Sequence, residues 1–143
     1  MIFVDTNVLV YSTARSAPSH TQARAALARC AAAGPLAISR QVLREYTATM
    51  TRPQTWGRAL TPAEAFGDAQ TFARRFTVLE DGPAVWDRLR ELSHGVAFAG
   101  KQVHDANLVA TMLAHGVTRL LTFNEADFRR FGASITLEPA WAT

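Results

Sequence analysis

Cysteine and lysine are almost missing from this chain of 143 residues. Cys30 is the only cysteine, so an internal disulfide is excluded, and no Cys/His cluster suggests a structural zinc site. No stretch approaches the roughly 20 apolar residues of a membrane span, and the first residues do not resemble a signal peptide. We therefore expect a cytoplasmic protein without disulfides or membrane contact, in which residues 1–143 form a single domain.

The charge comes mostly from arginine. The chain has 15 lysines and arginines, of which only Lys101 is lysine, and its formal net charge is +3. Arginine binds phosphate well through its planar guanidinium, but an arginine-rich composition of the solvated surface explains the same count. A charge of +3 permits nucleic-acid binding without requiring it.

Short β-prone runs alternate with longer helical patterns, which predicts an α/β domain with a parallel sheet covered on both faces. N-caps are expected at Asn7, Ser19, Ser39 and Thr61. The predicted strands are residues 3–5, 36–38, 77–79, 119–122 and 134–137. The predicted helices begin near residue 8 and then cover residues 20–33, 40–50, 62–76, 83–94, 104–115 and 125–131.

Five polar residues lie where packing favours apolar ones. Asp5 ends the first strand, Glu45 shares a helix face with apolar residues, and Asp105 begins the apolar stripe of another helix. Asn124 and Asp127 follow the fourth strand. Buried carboxylates are costly unless a positive charge meets them, and the carboxyl ends of parallel strands share one edge. A divalent metal ion, Mg²⁺ or Mn²⁺, is the partner that this pattern favours.

Each of the five also has an ordinary structural explanation. Glu45 would bend to solvent or pair with a neighbouring arginine, and Asp105 would interact with the dipole of its own helix. Asp5 would form a turn, and the last two would cap or begin the short helix after the fourth strand. The metal interpretation rests on their joint placement, not on any single residue.

Four segments together resemble the PIN-domain nucleases, in particular the VapC-type toxins of bacterial toxin–antitoxin pairs. These segments are residues 2–9, the helix carrying Glu45, residues 104–110 and residues 121–128. Their order and separations fit, and the resemblance covers essentially the whole chain.

The resemblance implies a three-layer α/β/α fold with a central parallel sheet of about five strands. It implies that Asp5, Glu45 and Asp105 are catalytic acids that hold the metal. Either Asn124 or Asp127 would complete the site, because the family often has Asp where this chain has Asn124. Hydroxyl positions that support the acids match two threonines, Thr6 and Thr122.

The implied activity is a Mg²⁺- or Mn²⁺-dependent endoribonuclease in which a metal-activated water hydrolyses RNA phosphodiesters. The implied partners are an RNA substrate, a cognate antitoxin and a second copy in a homodimer. The alternative is a catalytically silent PIN-like module that binds RNA or protein. A phosphatase of the haloacid-dehalogenase kind is disfavoured, because that chemistry requires Asp where this chain has Asn7.

A loop after the third predicted helix combines Arg52, Trp56 and Arg58. Such a loop would contact RNA by stacking a base and binding phosphates. The alternatives are a surface connection with Trp56 packed inward, or a docking point for the antitoxin. Trp86 and Trp141 are interpreted as packing residues.

Overall fold

In the computed structural model of the chain, residues 1–141 are described. The predicted domain of residues 1–143 therefore includes two residues, Ala142 and Thr143, that lie outside the described part. Across residues 1–141 no helix is long and apolar enough to cross a membrane.

A single sheet of five parallel strands forms the centre of the fold, as predicted, in the order β3-β2-β1-β4-β5. The chain runs outward from β1 through β2 to β3, and later fills the other side with β4 and β5. The order therefore reverses at β1, where sites of open α/β sheets form. The strands are β1 Ile2–Val4, β2 Leu36–Ser39, β3 Thr77–Leu79, β4 Arg119–Thr122 and β5 Thr136–Pro139.

Helices connect the strands and cover both faces of the sheet. All three residues of β1 are buried, and since successive side chains point to opposite faces, neither face is open to solvent there. The helices are α1 Thr6–Thr13, α2 His20–Ala33, α3 Arg40–Met50, α4 Pro62–Arg75, α5 Pro83–Gly95, α6 Gln102–Ala114 and α7 Glu125–Phe128, and a 3₁₀ turn, Arg129–Phe131, follows α7. This arrangement is the predicted three-layer α/β/α fold.

The helix caps confirm three of the four predicted positions, two of them with a side-chain hydrogen bond, and contradict the fourth. The Ser39 hydroxyl accepts from the Val42 backbone N–H, and Thr61 begins α4 with a complete capping box. Ser19 makes no side-chain cap contact. The predicted cap at Asn7 is wrong because α1 begins at Thr6, with Asp5 as its N-cap.

Two predictions near the surface are also wrong. The last strand begins at Thr136, because residues 134 and 135 donate their backbone N–H groups to the Phe131 carbonyl in a turn. Trp86 is 61% exposed on α5 and does not pack in the core. Trp141 is 55% exposed, with its ring edge-to-face on Phe123 at 4.7 Å.

Candidate active site

The carboxyl edge of the sheet opens into a cleft of about 710 Å³. Asp5 enters it from the end of β1, Glu45 from α3 and Asp105 from the first turn of α6. Asn124, which follows β4, also lines the cleft. The structure therefore places four of the five predicted site residues around one space. Asp127 lies beyond it, in a shallower depression beside Trp141.

Asp5 is the most firmly held of these groups. Its carboxylate accepts from the Thr6 backbone N–H at 2.7 Å and from the Thr122 hydroxyl at 2.8 Å. Asn7 donates its side-chain amide to the same carboxylate at 3.2 Å. Burial raises the pKa of Asp5 to about 6, against the lowering effect of the hydrogen bonds from Thr122 and Thr6. The charges of Glu45 and Asp105 raise it further.

Asn7 joins the ends of the two central strands. Its side-chain amide approaches the Thr122 hydroxyl at 3.4 Å, and its side-chain oxygen accepts from the Phe123 backbone N–H at 3.1 Å. Asn7 therefore fixes the end of β1 against the end of β4, where the prediction made it a local cap. No sequence pattern gives its partners, which lie 115 and 116 positions away.

Glu45 is half-buried on α3 and is held from two sides. The Thr6 hydroxyl donates to one carboxylate oxygen at 3.3 Å, and the Gln41 side-chain amide donates to the other at 2.7 Å. Thr6 and Thr122 thus each donate a hydroxyl to one of the acids. Sequence reasoning missed Gln41, although a Gln four residues before a Glu faces it on a helix.

Asp105 is half-buried, and its charge is poorly compensated. Burial raises the pKa of Asp105 to about 6, and the charges of Asp127 and Glu45 add to that effect. Arg130 and His104 lower it by smaller amounts. The charge of Asp127 therefore raises the pKa of Asp105, although Asp127 does not line the cleft.

The acids suit a hard divalent cation in their chemistry. All are oxygen donors of the kind that Mg²⁺ and Mn²⁺ prefer. Within residues 1–141, none of Asp5, Glu45 and Asp105 forms an ion pair, and no three acidic, histidine or cysteine side chains are gathered closely enough to hold a metal ion. Mg²⁺ is usually held by one or two carboxylates together with several waters, so this arrangement still suits it.

Basic and aromatic side chains also line the cleft. Arg52 and half-buried Trp56 line the cleft, together with Arg44 and Lys101, which sequence reasoning missed. Arg58 lies outside the cleft and pairs with Glu64 at 3.2 Å. The cleft thus contains basic side chains as well as the three acids.

Comparison with known proteins gives consistent results. Residues 2–133 match the model of the PIN domain family. The chain is 34% identical over 141 residues to Ribonuclease VapC24 of Mycobacterium tuberculosis, covering 97% of both sequences. Its fold is similar to that of the Sarcin-Ricin loop cleaving toxin VapC20 of Mycobacterium tuberculosis, at 20% identity and a TM-score of 0.67 over 95% of this chain and 97% of that one. It is also similar to a chain of a toxin-antitoxin complex from Klebsiella pneumoniae, at 21% identity and a TM-score of 0.64 over the full length of both.

Proposed function

The chain belongs to the PIN domain family, and from that premise we propose that it is a Mg²⁺- or Mn²⁺-dependent endoribonuclease. The observation that carries the proposal is the convergence of Asp5, Glu45 and Asp105 on one cleft that basic side chains also line. Two of these carboxyls have a pKa of about 6. Perturbed carboxyls that gather in a cleft are typical of catalytic sites.

The acids divide two tasks in the proposed reaction. Asp5 and Asp105 would hold the cation, and the hydroxyl of Thr122 donates to the Asp5 carboxylate and so fixes its orientation. Glu45, fixed by Thr6 and Gln41, orients the attacking water and receives its proton. When bound, the cation supplies a water of lowered pKa and offsets the charge on the phosphate.

The basic side chains of the cleft position the RNA. Arg52, Arg44 and Lys101 line the same cleft as the acids and attract the phosphates of a single strand. Trp56 offers a ring on which a base stacks. Arg58 has a smaller part, because its guanidinium is engaged by Glu64.

We also propose that the protein is the toxin of a toxin–antitoxin pair and acts as a homodimer. The similarity to the Klebsiella pneumoniae toxin-antitoxin complex and to the toxin VapC20 supports an antitoxin partner. An antitoxin that inserts a basic side chain among the acids would neutralise the same charges as the cation. Mixing the protein with the product of an adjacent short reading frame, followed by mass measurement, tests both assemblies.

The activity is tested by incubating the purified protein with total cellular RNA in Mg²⁺ or Mn²⁺. Discrete fragments are expected, and they should disappear in EDTA and with Asp105→Asn, which keeps the side-chain shape but removes a cation ligand. Sequencing the fragment ends identifies the target. Intact RNA in every lane, from protein with a cooperative thermal transition, would favour the silent binding module instead.

A further inference from the structure

A second group of polar side chains lies beside the acids and connects α3 to α6. At its centre is Gln41, a buried residue that is only 6% exposed. Its amide nitrogen donates to Glu45 at 2.7 Å and to the backbone carbonyl of His104 at 2.8 Å. Because His104 directly precedes Asp105, one amide group contacts one acid and the backbone that carries another.

The hydrogen-bond inventory fixes the orientation of Gln41. A primary amide nitrogen has two N–H donors, and both are used. The Gln41 oxygen accepts from the side-chain nitrogen of Asn107 at 2.9 Å. Turning the Gln41 amide over would place its oxygen against a carboxylate and a carbonyl, and its nitrogen against another donor. Only one orientation therefore satisfies every partner.

Asn107 extends the connection to the loop after β3. Its side-chain nitrogen donates to the Asp81 carboxylate at 3.1 Å as well as to Gln41. The resulting series runs from Glu45 through Gln41 and Asn107 to Asp81, with a carboxylate at each end and amide donors between them. The amide nitrogens of Gln41 and Asn107 face only hydrogen-bond acceptors. Neither amide can therefore turn over without placing its oxygen against another oxygen.

We propose that Gln41 is a positioning residue, which holds the Glu45 carboxylate at a set distance from Asp105 and is itself held by Asn107. This inference rests on the proposed nuclease function. A half-exposed Glu on a helix otherwise samples several rotamers, and fixing it in advance removes that freedom before the reaction. Gln41 lines the cleft but is only 6% exposed, and its amide donates to Glu45. Its effect on RNA cleavage therefore acts through that carboxylate.

The kinetic test replaces Gln41 by methionine, which keeps the length of the side chain and removes its polar atoms. Partners that orient such ligands are typically worth ~10–100-fold, so we expect kcat for RNA cleavage to fall by about that factor. The KM for RNA should stay unchanged. Gln70→Met, the same change at an exposed position of α4, is the control and should leave both constants unchanged.

A double-mutant cycle separates positioning from general loosening of the fold. Asn107→Ala alone should lower kcat by less than Gln41→Met does, because it acts through Gln41. Adding Asn107→Ala to Gln41→Met should then cause little further loss. Losses that multiply, or a higher KM with unchanged kcat, would overturn the proposal.

A spectroscopic readout does not depend on cleavage. In ¹⁵N-labelled, cation-free protein, the side-chain amide pair that disappears in Gln41→Met should exchange slowly with solvent and shift in Asn107→Ala. Rapid exchange and an unchanged position would contradict the network. If Gln41→Met does not fold, the Gln41 pair is assigned by through-bond correlation in the wild-type spectrum, and its position is compared with that in Asn107→Ala. Wild-type protein that cleaves no RNA would refute the proposed function. Wild-type and Gln41→Met proteins that cleave equally well would refute the positioning role alone.

Discussion

Carboxylates on the outer surface and carboxylates in the cleft are treated in opposite ways. On the surface, Glu64 pairs with Arg58 at 3.2 Å, and that partner lowers the pKa of Glu64 to about 2. In the cleft, burial and mutual repulsion raise the pKa of Asp5 and of Asp105 to about 6. The same chemical group is therefore stabilised as an anion in one region and destabilised as an anion in the other.

This difference in pKa shows where the protein leaves negative charge without a positive partner of its own. Of the 15 lysines and arginines all but Lys101 are arginine, and several of these pair with surface acids. None of the ion pairs formed within residues 1–141 includes Asp5, Glu45 or Asp105. Sites that keep unfavourable charge commonly do so at the expense of stability. The cleft is the part of this fold where a bound cation would return that stability.

The largest expected effect on the cleavage rate comes from comparing the same Glu→Gln substitution in the cleft and on the surface. Glu45→Gln removes the charge in the cleft and keeps the side-chain length, and it should lower the cleavage rate by at least ~10²-fold, by analogy with the loss of a single transition-state contact. Glu91→Gln removes a carboxylate that pairs with Arg88 at 3.7 Å on α5, and it should leave the rate unchanged. The rates are measured as single-turnover cleavage of one RNA by the wild type, Glu45→Gln and Glu91→Gln.

The outcome decides whether the distinction between the two regions concerns catalysis. Equal rates for wild type and Glu45→Gln would mean that the cleft carboxylate has no part in the reaction. A comparable loss in Glu91→Gln would mean that the rate follows overall charge or stability instead. Thermal unfolding of each variant shows whether its fold is intact.

A smaller effect is expected on stability as pH changes. Between the ordinary pKa of 3.8 and the folded-state pKa of about 6, folded Asp5 keeps a proton that the unfolded chain has lost. Stability from this group is thus greatest at low pH and is lost as pH rises through about 6. In EDTA, the unfolding midpoint should fall from pH 5 to pH 7 by about 2–4 °C, the equivalent of roughly 1 kcal/mol.

Two controls isolate the cleft in this experiment. Asp105→Asn removes one of the raised groups, so its midpoint should depend less on pH and should exceed that of wild type at pH 7. Saturating Mg²⁺ should raise the wild-type midpoint more at pH 7 than at pH 5, because the cation binds the ionised form. A wild-type midpoint that rises from pH 5 to pH 7 in EDTA would contradict the raised pKa values.

The sequence was sufficient to predict the sheet and the placement of the acids around one cleft, because both follow from local patterns. Strand ends and helix faces are periodic features, and they bring Asp5, Glu45 and Asp105 to one edge once the strands are parallel. The position of Asp127 outside the cleft depends on how the short helix α7 turns after β4. That turn is set by packing, which periodicity does not describe.

The supporting contacts lay beyond sequence reasoning because their partners are distant in the chain. Asn107 contacts Gln41 across 66 positions, and Asn7 contacts the backbone of Phe123 across 116. A polar residue two or four positions from an acid is consistent with a cap, a solvated face or a hydrogen-bond partner. Only the approach of α3 to α6, which Gln41 bridges, and the pairing of β1 with β4 select among these.

The smallest expected effect concerns which residue after β4 completes the site. Asp127 follows burial as the strongest influence that raises the pKa of Asp105, whereas Asn124 lines the cleft and carries no charge. Asp127→Asn should therefore lower the pKa of Asp105 and move the acidic limb of the pH–rate profile to lower pH, by less than about one pH unit. Asn124→Ala should leave the limb in place and reduce the rate at its plateau, if its amide contacts the reacting groups. A limb that moves in Asn124→Ala and stays in Asp127→Asn would reverse the assignment, because it would make Asn124 the residue that controls the charge on Asp105.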